Sequence, residues 1–311
     1  MFDTVNLRLT ASEVGTVSFM EEIPCYLTDV GFHDYGGNTF VTGNLNGLKV
    51  TANQWQVKVK DGSLCKWFFG DNYQSMGRAD VQRAIEKLSD LLHLPMSRAS
   101  VTRLDVACNL ITRHPAEVYY NHLGILAYAK RLQQPNSLYY MKRDERLCFY
   151  DKNREQRAKR ETVPELYNGR NVLRLEQRYM CRLPNVLKVP AVTGASLYNE
   201  PFYIMLLNRW RDTYKAIKKI NDTNINFRIM KTRRDLQRLG ILALIENVGG
   251  EVAFINQINE ARQRGEITPK QAHDLREAVK QAGTAKAGLV VKSEAIGELD
   301  KKITEAVRYY R

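Results

Sequence analysis

The run VTRLDVACNL, residues 101–110, alternates with a period of two and reads as a β-strand. Leu104, Val106, Cys108 and Leu110 form one face, suited to burial, while Arg103, Asp105, Ala107 and Asn109 share the other. A carboxylate in the middle of such a strand is costly to bury unless something neutralises it. The strand therefore demands a sheet with a covered apolar face and a partner for Asp105.

The rest of the chain supplies the sheet. Residues 4–10 (TVNLRLT) alternate as a first strand, and short strands continue through 25–60, cut by GG, GN and NG turn signals. KDG at 60–62 marks a tight turn, and SLCKWFFG reads as a further strand ending at Gly70. Residues 80–94 are an amphipathic helix, with Val81, Ala84, Ile85, Leu88, Leu91 and Leu92 on one face, Asp80 as N-cap and Pro95 as the stop. The spacing predicts a second helix over 115–131, with Pro115 in its first turn. A hairpin is expected over 137–152, then the basic helical segment NREQRAKRE, then the strand VLRLEQRYM at 172–180.

Beyond Pro184 and Pro190 the pattern turns helical, over 200–220, 232–248, 251–264, 268–282 and 293–311. The expected architecture is α+β: an antiparallel sheet with flanking helices over 1–183, then an all-helical C-terminal region over 184–311. That region is expected to serve in DNA recognition or assembly.

Net charge is +13, and the pI is about 9.5. Such an excess of cations points to an anionic partner, most often nucleic acid. No run approaches the roughly 18 apolar residues of a membrane span, and MFDTVNLRLT lacks the basic start and apolar core of a signal peptide. A cytoplasmic protein without a membrane partner is expected. The five cysteines form no CxxC pair, so buried free thiols are expected rather than disulfides or zinc ligands.

Polar residues sit at inward positions on three strands. Besides Arg103, Asp105 and Asn109, the run CFYDKNRE places Tyr150 and Lys152 on one face, and LRLEQRYM places Arg174, Glu176 and Arg178 on one face. If these strands are neighbours, Asp105 and Glu176 meet, with Asn109 nearby. Hard oxygen ligands of this kind suit Mg²⁺ or Mn²⁺, acting as a Lewis acid on a phosphate held by the neighbouring cations. The alternative is an ordinary ion network of arginines and carboxylates.

Five segments in order, KWFFGDN, IEKLSDLLHLPM, VTRLDVACNL, LYYMKRDERLCFYDKNREQ and LRLEQRYMCRL, resemble the gene II/X family of phage and plasmid replication proteins. RLDVACNL and FYDKNRE are also similar to segments of plasmid replication initiation factors, and TRRDLQRLGILALIENVGGE and RGEIT resemble the family's C-terminal region. The resemblance implies rolling-circle initiation: a tyrosine attacks one origin strand, stays joined to the 5′ phosphate and frees a 3′ hydroxyl, with a divalent metal polarising the phosphate. It implies Asp105 and Glu176 as metal ligands, and Arg103 and Lys152 as catalytic supports. The partners implied are single- and double-stranded origin DNA, a host helicase and a polymerase, with a homodimer left open. Many nickases hold their metal with two histidines around one hydrophobic residue; His33, His93, His114, His122 and His273 form no such pair. Two other readings stay open: a non-catalytic origin-binding or regulatory protein on this fold, and a mobilisation relaxase.

Two of the sixteen tyrosines stand out as nucleophiles. Tyr150 shares its strand face with Lys152. Tyr214 lies on RWRDTYKAIKK with Lys218 one turn later, although Tyr203, Leu207, Trp210, Tyr214 and Ile217 also form an apolar stripe. Tyr139 and Tyr140 follow. Phosphate contacts are expected from Arg154, Arg157, Lys159 and Arg160, from Arg174 and Arg178, and from Lys215, Lys218 and Lys219. Trp55, Trp67 and Phe69 are candidates for stacking on unpaired bases, and Arg233, Arg234, Arg238 and His273 for duplex contact.

Overall fold

The computed structural model describes residues 1–15, 18–220, 231–284 and 293–311. Its centre is one ten-stranded sheet, β1 (Phe2–Thr10), β2 (Thr28–Tyr35), β3 (Asn38–Leu45), β4 (Leu48–Ala52), β5 (Gln56–Lys60), β6 (Ser100–Thr112), β7 (Lys130–Gln134), β8 (Ser137–Met141), β9 (Glu145–Asp151) and β10 (Asn171–Tyr179). Their spatial order is β2-β3-β4-β5-β1-β6-β10-β9-β8-β7, and every neighbouring pair is antiparallel. Two turns show why the sequence signals worked. Gly36–Gly37 and Asn46–Gly47 all have positive φ, the conformation that two-residue hairpins require.

One face of the sheet is closed by helices. Arg78–Leu92 buries Val81, Ala84, Ile85, Leu88 and Leu92, the stripe expected from the sequence apart from Leu91. Glu200–Lys215, capped by the Asn199 side chain, buries Tyr203, Leu206, Leu207, Trp210 and Tyr214. Trp210 Nε1 donates to the Leu175 carbonyl of β10 at 3.4 Å, and the Tyr214 ring lies 6.5 Å from that of Phe149 on β9. This helix thus covers the apolar face of β9 and β10.

Several expectations need correction. SLCKWFFG is a helix, Leu64–Phe69, and not a strand: Ser63 caps it by accepting from the Lys66 amide, and Gly70 ends it at φ 91°. The helix expected over 115–131 stops at His122, and the chain continues into β7, which pairs with β8. Lys152 does not extend β9; it opens the helix Lys152–Ala158, whose N-cap is Asp151. Cys65, Cys108 and Cys148 are buried free thiols, but Cys25 and Cys181 are exposed.

The chain also divides differently from 1–183 and 184–311. One unit contains Met1–Tyr120, Leu126–Ala216 and Leu299–Arg311; the other contains Asn121–Ile125 and Ile217–Glu298. The reason is apolar burial, because Glu200–Lys215 is needed to cover the sheet. In the second unit the helices Arg233–Val248, Glu251–Gln263 and Pro269–Thr284 share a core of Leu239, Leu242, Ile245, Ile258, Ala272, Val279 and Ala282. No helix among the described residues is long and apolar enough to cross a membrane.

Candidate active site

β6, β10 and β9 are neighbours, and their register fixes the polar face. Asp105 stands opposite Arg178, Asn109 opposite Arg174, and Tyr150 opposite Arg174. Glu176 is therefore diagonal to both Asp105 and Tyr150, about 7–8 Å away along the ladder and within reach of long side chains. Together they line a cavity of about 560 Å³. Its rim carries Arg103, Arg178, Arg154 and Lys159, with Tyr139 beside Tyr150.

The hydrogen bonds are dense. Arg103 grips Asp105 with two, Nε to Oδ1 at 3.0 Å and Nη2 to Oδ2 at 2.6 Å. Arg178 Nε donates to Glu176 Oε1 at 2.8 Å, and the Tyr150 hydroxyl donates to Glu176 Oε2 at 2.8 Å. Arg174 lies beneath, fully buried, with Nη2 2.6 Å from Asp3 Oδ2 and Nε 3.4 Å from Glu176 Oε2. Its Nη1 also donates to Asn109 Oδ1 at 3.0 Å and to the Asn72 carbonyl at 3.2 Å.

These surroundings separate the two carboxylates. Burial works to raise Glu176, but Arg174 and Arg178 outweigh it and hold its carboxyl down at about 2. Among the described residues Asp105 is hydrogen-bonded by Arg103 alone, with Arg178 opposite it bonded to Glu176 instead. Burial, aided by the Glu176 charge, pushes the Asp105 carboxyl up to about 7. Burial also holds the Tyr150 phenol well above its ordinary value.

The Asp105 shift has a consequence for stability. Its folded value lies above the unfolded value of about 3.9, so the stability it contributes below that pH is lost as pH rises through about 7. Glu176 behaves oppositely, losing its contribution as pH falls toward about 2. Between pH 5 and pH 8 only Asp105 of the pair changes. Urea unfolding in EDTA should show Asp105→Asn gaining on the wild type by on the order of 3 kcal/mol between those pH values. A constant difference would mean that Asp105 stays ionised throughout.

Other expected site residues lie elsewhere. Tyr214 is on the opposite, helix-covered face. It is 1% exposed and donates to Asp300 Oδ1 at 2.7 Å, and burial followed by the Asp300 contact raises its phenol far above the usual range. Tyr140 is also buried on that face. Lys152 is buried beneath its own helix, its Nζ donating to Glu155 Oε2 at 2.8 Å, and so it positions Glu155 at the cavity rim. Arg174, expected to touch phosphate, has no access to it. Asn109 is no metal ligand here, because its amide is consumed by Arg174 and by the Asn72 and Tyr73 carbonyls.

Arg157, Arg160 and Lys215 are exposed, whereas Lys218 and Lys219 are half-buried in the second unit. Trp67 is half-buried on its helix under Lys87, whose Nζ lies 4.9 Å from the ring centroid, and Phe69 is half-buried too. Arg233, Arg234 and His273 are exposed and Arg238 is half-buried, all in the second unit.

The sequence reading missed Asp3, Ser63 and Asn72. Asp3 pairs with Arg174 and accepts from the Ser63 hydroxyl. Its signal, an acid within the alternating run FDTVNL, is the same one that flagged Asp105.

Among the described residues, no group of three or more His, Cys, Asp or Glu side chains is arranged to hold a metal ion. Mg²⁺, however, is often bound by one or two carboxylates plus substrate phosphate oxygens. Asp105 and Glu176 fit that need in kind and number; burial, and after it the Glu176 charge, raises the Asp105 carboxyl, and the charge part is of the sort a cation relieves.

A family model for the N-terminal region of the phage replication-associated protein, the gene II product, matches residues 1–199. No curated protein matches the chain. Among solved structures, a rolling circle replication initiator protein from Geobacillus stearothermophilus is similar at 13% identity with a TM-score of 0.42, over 77% of this chain and 94% of that one.

Proposed function

This chain belongs to the family defined by the N-terminal region of the phage gene II replication-associated protein, and from that premise we propose that it initiates rolling-circle replication by cutting one origin strand, with Tyr150 as nucleophile. The observation that carries this reading is the Tyr150 hydroxyl bonded to Glu176 within a cavity that also holds Asp105 and several cations.

The Tyr150 oxygen attacks the scissile phosphorus as its hydroxyl proton is given up to solvent, the bond to the 3′ oxygen breaks, and that oxygen takes up a proton from solvent, so the strand is left with a 5′ phosphotyrosine and a free 3′ hydroxyl. Glu176 orients the phenol: its carboxylate accepts the hydroxyl hydrogen, which turns the oxygen lone pairs away from it. Arg103 and Arg178 fix the two carboxylates and place positive charge beside the phosphate site. Arg154 and Lys159 on the rim add charge for the flanking backbone. Asp105 and Glu176 would hold Mg²⁺ or Mn²⁺, which when bound supplies Lewis-acid polarisation of the phosphate. Host helicase and polymerase would act on the freed end.

The test uses single-stranded origin oligonucleotides labelled at the 5′ or the 3′ end, incubated with Mn²⁺ or with EDTA. A covalent protein–DNA adduct is expected only with metal, carrying the label of the 3′-labelled fragment. Glu176→Gln should reduce its formation at least about 10³-fold while changing DNA affinity little. Tight origin binding without any adduct would instead support the non-catalytic origin binder.

A further inference from the structure

The half of the sheet away from the cavity, β2 to β5 with β1, has one apolar face and one open face. Leu7, Leu9, Val50, Val57 and Val59 are at most 1% exposed on the covered side. The register places Arg8 opposite Lys58, and Lys49 opposite Lys60, on the other side. Positions sharing that open face on β3, β4, β5 and the Asn6–Thr10 part of β1 include no Asp or Glu. Only Lys60 has a carboxylate nearby, that of Asp61 at 3.8 Å; among the described residues Arg8, Lys49 and Lys58 form no ion pair.

Like charges directly opposite each other destabilise a ladder. An arrangement that places them in register, with no acid between, is stabilised when a polyanion lies across it. Thr51, beside Lys58 in the ladder, and Thr42, whose hydroxyl lies 3.0 Å from His33 Nε2, line a hollow of about 340 Å³ together with the three lysines. Aromatic rings border it. Phe40 lies 5.0 Å from His33 and 5.8 Å from Tyr35, and Trp55 at the β4–β5 turn is 66% exposed. A cationic groove flanked by aromatic faces suits unpaired nucleotides.

This face is continuous with the cavity. Lys60 is followed by Asp61, Gly62 and Ser63, which line the cavity with Thr4 of β1, and Asn6 pairs with Arg103. β4, β5, β1, β6 and β10 are successive strands, so the path from Lys49 to Glu176 spans about 20 Å at the usual strand spacing. We propose that the open face of β3, β4, β5 and β1 is a track for single-stranded DNA, on which Lys49, Lys58 and Lys60 hold the backbone of the strand leading to Tyr150. The proposal rests on the nicking function argued above.

The test is fluorescence anisotropy with oligothymidylates of about 25 and about six nucleotides, and with a duplex of the longer length, over a salt series. The triple variant Lys49→Ala/Lys58→Ala/Lys60→Ala should bind the long single strand about 30-fold more weakly at ~0.1 M salt. Its log–log salt slope should fall by about 2, roughly 0.7 per phosphate contact. Binding of the short oligonucleotide should stay within about twofold. The matching Lys→Arg triple should retain wild-type affinity, which separates lost charge from lost folding. An Ala triple with unchanged affinity and slope would overturn the track while leaving nicking intact. An equal loss on duplex would overturn the commitment to single strands. No adduct from the wild type, with the expected loss of affinity in the triple, would refute nicking alone.

Discussion

Tyr150→Phe should form no covalent adduct with DNA, and its strand cutting should fall by at least about 10⁴-fold, whereas Tyr214→Phe should cut and become joined to DNA at near wild-type rates. The two phenols differ in what surrounds them. Tyr150 opens onto a cavity that holds Asp105, Glu176 and the Arg103 and Arg178 guanidinium groups. Tyr214 lies across the sheet, packed near Phe149 and bonded to Asp300. Removing the Tyr214 hydroxyl should cost about 1–3 kcal/mol of stability through the lost buried hydrogen bond. Removing that of Tyr150 should cost less, because Arg174 and Arg178 still hold Glu176. The two substitutions thus separate activity from stability in opposite directions. Denaturing gels with the metal-dependent oligonucleotide assay, followed by peptide mass of the adduct, read the first; urea titration reads the second. An adduct on Tyr139, which lines the same cavity, would keep the site and move the nucleophile by one strand. An adduct on Tyr214 would require the Glu200–Lys215 helix to leave the sheet, and would overturn the site altogether.

Period-two alternation was enough to sort the residues within each strand, because side-chain direction in a strand follows from position alone, but that Asp105, Glu176 and Tyr150 share one face needed the strand order and register of β6, β10 and β9. Alternation could not rank the tyrosines, since an apolar stripe on a helix and a nucleophile on a helix look alike until burial is known. Lys152 went wrong for a local reason. The run CFYDK alternates, but Asp151 accepts from the Arg154 amide and turns the chain into a helix one residue before the pattern ends. The helix Leu64–Phe69 was hidden by its aromatic residues, which favour strands, although Ser63 and Gly70 bracket it as caps. The partner of Asp3 was out of reach for a different reason. The contact of Asp3 with Arg174 depends on β1 pairing with β6 across an irregular register between Phe2 and Val5, and nothing local to either residue reports it.

Arg174→Ala should be among the most destabilising single substitutions in the sheet unit, at about 3–5 kcal/mol. That is a large share of the roughly 5–15 kcal/mol that holds a typical domain folded. The side chain is 1% exposed and its guanidinium serves Asp3, Glu176, Asn109 and the Asn72 carbonyl at once. Its loss leaves Asp3 without its arginine and the buried Glu176 with one of its two guanidinium partners. Lysine at this position keeps the charge but cannot present donors in four directions from a planar fork, so Arg174→Lys should recover less than half of the loss. Neutralising an orphaned acid should help more: adding Asp3→Asn to Arg174→Ala should restore about 1–2 kcal/mol, because an uncompensated buried carboxylate is then gone. Arg178→Ala provides the contrast. Arg178 is about one-quarter exposed, and its loss should cost less stability than that of Arg174, because among the described residues it serves Glu176 alone and Arg174 remains, while lowering the salt slope of single-strand binding by about 0.7. Urea midpoints for the five proteins, with DNA titrations for those that fold, test this assignment. Wild-type stability in Arg174→Ala together with a reduced salt slope would return Arg174 to the DNA-contacting set and show that Asp3 and Glu176 do not need it.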